Sequence, residues 1–395
     1  MNLTNHQSTV LTNLLNSDSR IVQLVGAGGV GKSHTISEFV KENHDDYNIV
    51  LTGTTHRAVR NVSDMCDDIE GKTIHSFLGF NLGADNDGGY ALRKKKNFQP
   101  EKCDYLIIDE SSMMTRQLIA EVEAFVKAGL VSKKVILVGD EVQLQIDKFA
   151  NLSRYPKFEL QEQMRQKHTN TLSETLKMLR EQIESNGKAF DIKHEDEVLE
   201  LYDDHKAFLY AYRESKHQKV IIAYTNQTVS AYNRNIKKYI HNHDDIFNAG
   251  DLVYPMSPVI NGDKIVIKNR QVVQILKVVK KDNYHVLYTA EGTIQVPDTK
   301  TWLNAQLEPL AESKDWRRYY ALKESYNFVH HTFAGTAHSL QGASVDEVWI
   351  DYTDIQPPND PAGFEKMRIL YVALSRAKIK AHIFYGNKRD YKGLK

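Results

Sequence analysis

An eight-residue glycine loop sets what this chain can fold into. Gly26-Ala27-Gly28-Gly29-Val30-Gly31-Lys32-Ser33 has the spacing G-x-x-x-x-G-K-S. It follows the apolar run Ile21-Val22-Gln23-Leu24-Val25 and precedes Ile36, Phe39 and Val40, which repeat at helical spacing. Strand, glycine loop and helix are the context in which this pattern wraps a polyphosphate. Backbone N–H groups of Gly26 through Gly31 turn toward the phosphates, and the helix N-terminus, with His34 beside it, adds its positive end. In this reading Lys32 reaches the β- and γ-phosphates and Ser33 holds Mg²⁺.

The loop also dictates its surroundings. Asn48-Ile49-Val50-Leu51, Asp104-Tyr105-Leu106-Ile107-Ile108 and Lys134-Val135-Ile136-Leu137-Val138 read as further strands, alternating with amphipathic stretches. One of those stretches, 56–64, reads as a helix capped by Thr54 or Thr55. Such alternation predicts a parallel sheet covered by helices on both faces. Two strands end in acids, Asp109-Glu110 and Gly139-Asp140, at the sheet edge where such folds bind ligands. Asp109 is expected to hold Mg²⁺ through water, and Glu110 to orient and deprotonate an attacking water. Gln143 carries an amide that can donate to a γ-phosphate and accept from a water.

The remainder divides unevenly. Between residues 77 and 100 a turn cluster, Asp85-Asn86-Asp87-Gly88-Gly89, is flanked by short apolar stretches, which predicts a protruding hairpin. Its basic run Arg93-Lys94-Lys95-Lys96 is either a solvated strand end or a nucleic-acid contact beside Tyr90 and Phe98. Helical spacing returns over 172–183. A second α/β region begins at 220–224, with a helix from Asn226 to Tyr239. Residues 250–297 read as short strands of a small barrel, one of them spanning 271–279. Lys264, Lys268, Arg270, Lys277, Lys280 and Lys281 give this part its local basic patch. The α/β text resumes with a strand at 345–350, a helix at 364–373 and a strand at 382–385.

Composition removes several classes. At 395 residues the chain is long enough for two or three domains. Lys plus Arg and Asp plus Glu both number 51, so any nucleic-acid-binding surface must be local. Cys66 and Cys103 are too few for a disulfide framework or a cysteine zinc site. No basic-then-apolar leader and no membrane-length apolar run is present, which predicts a cytoplasmic protein with no membrane partner.

The order of motifs resembles superfamily 1 helicases, most closely the RecD-like branch that includes the phage Dda helicases. Asn5-His6-Gln7 is similar to the adenine-reading Q motif, with Gln7 as reader. The glycine loop is motif I. Thr54-Thr55-His56 resembles motif Ia, Thr73-Ile74-His75 motif Ib, Asp109-Glu110-Ser111-Ser112 motif II, and Gly139 to Leu144 motif III. Gln161-Glu162-Gln163-Met164-Arg165 looks like motif IV, Thr336-Ala337-His338-Ser339-Leu340-Gln341-Gly342 like motif V, and Leu370 to Ala377 like motif VI. Several details depart from the pattern: no proline precedes Thr54-His56 or follows Gln143, Ser344 stands where other branches place an acid, and Asn269-Arg270 replaces an Asn-Gly turn.

The resemblance implies an α/β architecture of two RecA-like P-loop NTPase domains. The first spans 1–165 with an inserted hairpin, or pin, at about 77–100. The second combines 166–249 with 330–395, and an SH3-like barrel with an extension is inserted at 250–329. ATP, bound with Mg²⁺ in the cleft between the domains, is hydrolysed with Arg165 and Arg376 as arginine fingers; Gly342 lies near the nucleotide. Thr54, Thr55, His56, Thr73, His75, Asn226, Thr336, His338 and Ser339 are the implied single-strand contacts, joined by Tyr90 and Phe98 on the hairpin. The aromatics of 302–326 serve packing or base stacking. The implied activity is ATP-dependent 5′→3′ DNA unwinding by a monomer, on single-stranded and forked or tailed duplex DNA, with a single-strand-binding protein as a candidate partner. The rival readings are an RNA-directed helicase, a translocase that strips proteins, and a nucleotide-switched binding module that does not turn over.

Overall fold

β1 (Ile21–Gly26) is buried along its whole length, and the glycine loop leaves from its end. The computed structural model describes residues 3–55, 58–59, 63, 66, 69, 71–84, 90–95, 97–140, 142, 151–161, 171–185, 187, 197–240, 245–262, 264–340, 344–387 and 389–390. After β1 come β2 (Ile49–Gly53), β3 (Lys72–Thr73), β4 (Phe80–Ala84), β5 (Tyr90–Lys94), β6 (Cys103–Asp109), β7 (Val131–Gly139) and β8 (Lys157–Leu160). Six of them form one parallel sheet in the order β3-β2-β6-β7-β1-β8. The register pairs Gly53 with Asp109, Val25 with Gly139 and Gly26 with Leu160. Parallel pairing therefore brings the ends of all six strands to one edge of the sheet.

Side chains alternate between two cores on opposite faces of this sheet. Leu106, Ile108, Val135 and Leu137 pack with Ile119, Val122 and Phe125 of helix Arg116–Lys127. Ile107, Ile136 and Val138 pack with Leu11 and Leu14 of helix Asn5–Leu15 and with Ile36, Phe39 and Val40 of helix Lys32–Asn43. Burial on both faces explains why these strands read as continuous apolar runs rather than alternating ones. Each such fully buried side chain contributes about 1.5–3 kcal/mol.

β4 and β5 form the expected antiparallel hairpin, paired from Phe80 with Lys94 to Ala84 with Tyr90. Its turn, 85–89, lies outside the described residues. At the hairpin's foot Gly79 has φ 78°, and a Cβ there would sit 2.4 Å from the Phe98 ring, so only glycine fits.

The later strands are β9 (Leu199–Tyr202), β10 (Lys219–Ala223), β11 (Leu252–Pro255), β12 (Val259–Asn261), β13 (Lys264–Ile267), β14 (Val273–Gln274), β15 (Lys277–Lys280), β16 (Tyr284–Tyr288), β17 (Thr293–Pro297), β18 (Val329–His331), β19 (Ala334–Thr336), β20 (Val345–Asp351) and β21 (Ala377–Phe384). A five-stranded sheet has the order β19-β10-β20-β21-β9, with β10 parallel to both neighbours. Three small antiparallel sheets follow in the 250–331 region: β14-β11-β18, β12-β13 and β15-β16-β17. Val253, Ile267, Val273, Ile275, Leu287, Ile294 and Val296 form their shared core.

Three details differ from the sequence reading. The strand expected over 271–279 is two strands in different sheets. Its hydrogen bonds change partner at Ile275 and Leu276, from Gly250 and Asp251 to Tyr288. The helix expected to reach Tyr239 is α-helical over Asn226–Asn235 and continues as a wider π turn, Ile236–Ile240. The 302–326 extension is two helices, Lys300–Glu312 and Trp316–Ser325, separated where Lys314 takes φ 56°.

The chain divides into two compact units: residues 1–200, 340–346 and 356–381, and residues 201–339, 347–355 and 382–395. Helix Phe364–Leu374 lies in the unit that carries the glycine loop, packed beside helix Thr171–Glu184.

Candidate active site

The glycine loop is shaped by backbone that only glycine adopts readily. Gly29 and Gly31 have φ 89° and 86°, and Gly31 is the N-cap of helix Lys32–Asn43. A Cβ on Gly26 would sit 2.6 Å from the Leu160 carbonyl oxygen. Lys32 Nζ donates to the carbonyls of Gly26 (2.8 Å) and Ala27 (2.9 Å), closing a ring around the loop. Burial pulls the Lys32 pKa down, against the pull of Asp140, Glu110 and Asp109, three carboxylates close enough to act on it. Loop, helix N-terminus and buried ammonium form a cradle for an anionic polyphosphate.

Gln7 closes the loop from behind. It is 1% exposed; its amide nitrogen donates to the Val30 carbonyl at 3.4 Å, and its amide oxygen accepts from the Thr4 N–H at 3.1 Å. Thr4 and Gln7 make a reciprocal capping box at the start of helix Asn5–Leu15. The residue expected to read a base thus also ties that helix to the loop.

Asp109 ends β6, and its Oδ1 accepts from the Glu110 N–H at 2.9 Å. Burial, then the neighbouring Glu110 charge, pushes its carboxyl pKa up to about 7. Glu110 follows at φ 53°, a left-handed conformation that turns its side chain away from the strand line. Thr54 braces this turn: its N–H donates to the Asp109 carbonyl (3.2 Å) and its hydroxyl to the Glu110 carbonyl (3.1 Å).

Among the described residues no cluster of three or more His, Cys, Asp or Glu side chains is placed to hold an ion. The Ser33 hydroxyl, in the first turn of helix Lys32–Asn43, and the Asp109 carboxylate, at the end of β6, are hard oxygen donors. That donor set fits Mg²⁺, which keeps waters and takes one or two protein oxygens plus those of a phosphate.

The motif VI segment stands over the same loop. Arg376 is 6% exposed, and its guanidinium donates to the Val372 carbonyl (3.0 Å) and the Ser375 hydroxyl (2.8 Å). Burial lowers its pKa, and the charge of Glu110 is the largest opposing influence. A Cβ on Gly28 would lie 3.1 Å from that of Ser375. Tyr371 donates to Asp140 Oδ2 at 2.9 Å and accepts from the Gly28 N–H at 3.4 Å. Asp140 Oδ1 accepts from Arg180 at 3.3 Å and from the Val142 N–H at 3.1 Å.

The structure therefore brings together Lys32, Asp109, Glu110 and Arg376. Gln143, Arg165, His56 and Gly342 lie outside the described residues. Sequence reasoning missed Arg180, Tyr371, Ser375 and the bracing role of Thr54. Tyr371 and Ser375 lie inside the motif VI string and were legible by position. Arg180 sits on an ordinary amphipathic helix and carries no local signal.

The expected nucleic-acid residues fare unevenly. The Phe98 ring packs on Gly79 and lies 6.5 Å from that of Phe125, anchoring the hairpin to the core. The side chain of Tyr90 lies outside the described set. Thr55, Thr73 and Thr336 use their hydroxyls as local caps, accepting from Ala58, Ser76 and Ser339 N–H groups at 3.1–3.2 Å. Ser339 returns its hydroxyl to the Thr336 carbonyl. Burial lowers the pKa of His75 and of His338. Asn226 is exposed at the start of its helix, after the cap Thr225. In the 302–326 extension, Trp302 stacks on Tyr284 with centroids 6.1 Å apart, whereas helix Trp316–Ser325 buries no side chain.

Comparisons with known proteins agree with this geometry. The AAA domain family (AAA_30) matches residues 2–206. The ATP-dependent DNA helicase Pif1 of Bdellovibrio bacteriovorus is 33% identical over 133 residues, covering 31% of this chain and 28% of that protein. The chain spans about half or less of the length of the curated relatives it matches. The crystal structure of Pif1 helicase from Candida albicans superposes over 98% of this chain and 95% of its own, with TM-score 0.56 and 17% identity. Bacteroides Pif1 bound to single-stranded DNA superposes over 99% and 94%, with TM-score 0.51 and 16% identity. The parallel sheet with its glycine loop has the RecA-like P-loop fold.

Proposed function

Because the chain belongs to the AAA domain family, in the Pif1/RecD-like branch of superfamily 1, we propose that it is an ATP-driven DNA helicase that moves 5′→3′ on a single strand. The observation that carries this reading is the convergence of Lys32, Asp109, Glu110 and Arg376 on one loop. A module that only switches with nucleotide needs no water-activating carboxylate beside an arginine.

In this reading the loop N–H groups and Lys32 bind the polyphosphate, and Asp109 with Ser33 orients Mg²⁺. The cation, when bound, neutralises charge developing on the phosphoryl oxygens. Glu110 orients the attacking water and takes its proton. Arg376 releases its local carbonyl and hydroxyl partners and bonds the γ-phosphate, a contribution typically worth ~10³–10⁵ in rate. Gln143, Arg165 and Gly342 complete the site as motifs III, IV and V. The hairpin β4–β5 is the strand-splitting pin, and the small sheets of 250–297 are an SH3-like barrel along the path of the strand. Turnover drives a monomer along single-stranded DNA toward a fork, in the cytoplasm.

The test is a fork assay. Duplexes with a 5′ or a 3′ single-stranded tail, in DNA and in RNA, are incubated with the protein with and without ATP. Unwinding only of the 5′-tailed DNA, only with ATP, and lost in Lys32→Ala, is the expected result. A preference for the 3′ tail overturns the direction, and activity confined to RNA overturns the substrate.

A further inference from the structure

One hydroxyl joins three parts of the candidate active site. Tyr371, 1% exposed, lies on helix Phe364–Leu374, which leads into Arg376. A phenol has one proton to give and two lone pairs to receive. Tyr371 donates a hydrogen bond to Asp140 Oδ2 at 2.9 Å and accepts one from the N–H of Gly28, inside the glycine loop, at 3.4 Å. The Arg180 guanidinium lies close enough for its charge to act on this phenol. The hydroxyl thus donates once and accepts once within the protein.

Asp140 extends the connection. It ends β7 at 1% exposure and also accepts from Arg180 (3.3 Å) and the Val142 N–H (3.1 Å). Arg180 continues to Glu159 of β8 (3.2 Å) and Glu184 (2.8 Å). Burial, then the Asp140 charge, raises the phenol pKa, so the hydroxyl keeps its proton across the working range.

We infer that Tyr371 is a positioning residue for hydrolysis. Its hydroxyl locks the Gly28 turn of the glycine loop to the buried Asp140–Arg180 pair, and so fixes where the helix that leads into Arg376 stands over the loop. The inference rests on the reading of this site as an ATP hydrolase. A fully satisfied buried hydrogen bond between a fixed phenol and a carboxylate sets a distance; it touches no reacting atom. Packing alone explains a buried aromatic ring on this helix. It does not explain a hydroxyl aimed at a loop N–H and a strand-end carboxylate together.

The test compares Tyr371→Phe with the wild type, because phenylalanine keeps the ring and removes only the hydroxyl. Single-strand-stimulated ATP turnover is measured with nucleotide affinity and melting temperature. The expected result is kcat lower by about tenfold or more, with nucleotide affinity within about threefold, since one hydrogen bond to a charged group is at stake. The second arm is Asp140→Asn, alone and combined with Tyr371→Phe. Because both act through one hydrogen bond, the double variant should lose little more turnover than the worse single one. Wild-type turnover in Tyr371→Phe, or a lowered melting temperature with kcat unchanged, overturns the inference. Multiplicative losses in the double variant overturn the link through Asp140. If the wild type itself fails to hydrolyse ATP, the hydrolase reading falls instead.

Discussion

The Glu110 N–H donates to the Asp109 carboxylate across 2.9 Å, while Glu110 itself stands at φ 53°. A non-glycine residue in this region carries strain of about 1–2 kcal/mol. Glu110→Gln keeps the backbone and removes the base. We expect ATP turnover to fall by about 10²–10⁴ with nucleotide binding retained. Near-normal turnover in a steady-state assay would remove Glu110 from its role.

Gly28→Ala tests how closely motif VI approaches the loop. The new Cβ would meet Ser375 at 3.1 Å, and Arg376 holds the Ser375 hydroxyl. The flexible partner is the Ser375–Arg376 turn, so the turn should shift and take the arginine with it. Expected is a loss of about tenfold in kcat, near 1.4 kcal/mol of barrier, with little change in nucleotide affinity. A pure affinity loss would show that the loop, not the turn, gives way.

Shortening the hairpin between Asn81 and Asn97 tests the pin. The foot is held by packing of Phe98 on Gly79 and by the Lys94–Glu121 ion pair. Keeping Gly79 and Phe98 should preserve the core, so ATP turnover and single-strand translocation should survive while duplex unwinding is lost. Persistent unwinding would assign strand separation elsewhere.

A pH dependence follows from His205 in the second unit. The ring is 1% exposed; Nε2 lies 3.0 Å from the Tyr232 hydroxyl, which donates to Asp351, and Nδ1 lies 2.9 Å from the Asp390 carbonyl and 3.0 Å from the Asp390 N–H. In the neutral ring Nε2–H donates to the Tyr232 hydroxyl and Nδ1 accepts from the Asp390 N–H. Burial lowers its pKa; the Asp390 carbonyl, Asp351 and Asp204 pull upward less strongly, and Arg389 pushes down. Its stabilising contribution is therefore present above the unfolded value near 6.5 and is lost as pH falls through the window below it. The melting temperature should drop between pH 7.5 and 5.5, and the drop should be smaller in His205→Gln. Equal slopes in the two proteins would sink the assignment.

How much was legible depended on range. The glycine loop, the acids at the ends of β6 and β7, the hairpin and the alternation of strands and helices all follow from local patterns. Strand burial on both faces, glycine conformation and turn chemistry act over a few residues and are written where they act. The strand expected over 271–279 fails for the opposite reason. Its periodicity continues through Ile275, but the hydrogen-bond partners on either side belong to different sheets.

The sequence by itself determined that a glycine loop, an Asp-Glu pair at a strand end and an arginine-bearing string exist, because each is a short run with its own chemistry. Only the tertiary structure decided that Arg376 stands in the same unit as the loop, that Phe98 is an anchor, and that Tyr371 joins Gly28 to Asp140. Those facts depend on hydrogen bonds and packing between residues more than 200 positions apart or on the far side of a turn. No local pattern encodes them, since a buried tyrosine reads alike in a sequence whether its hydroxyl meets a carboxylate or a water.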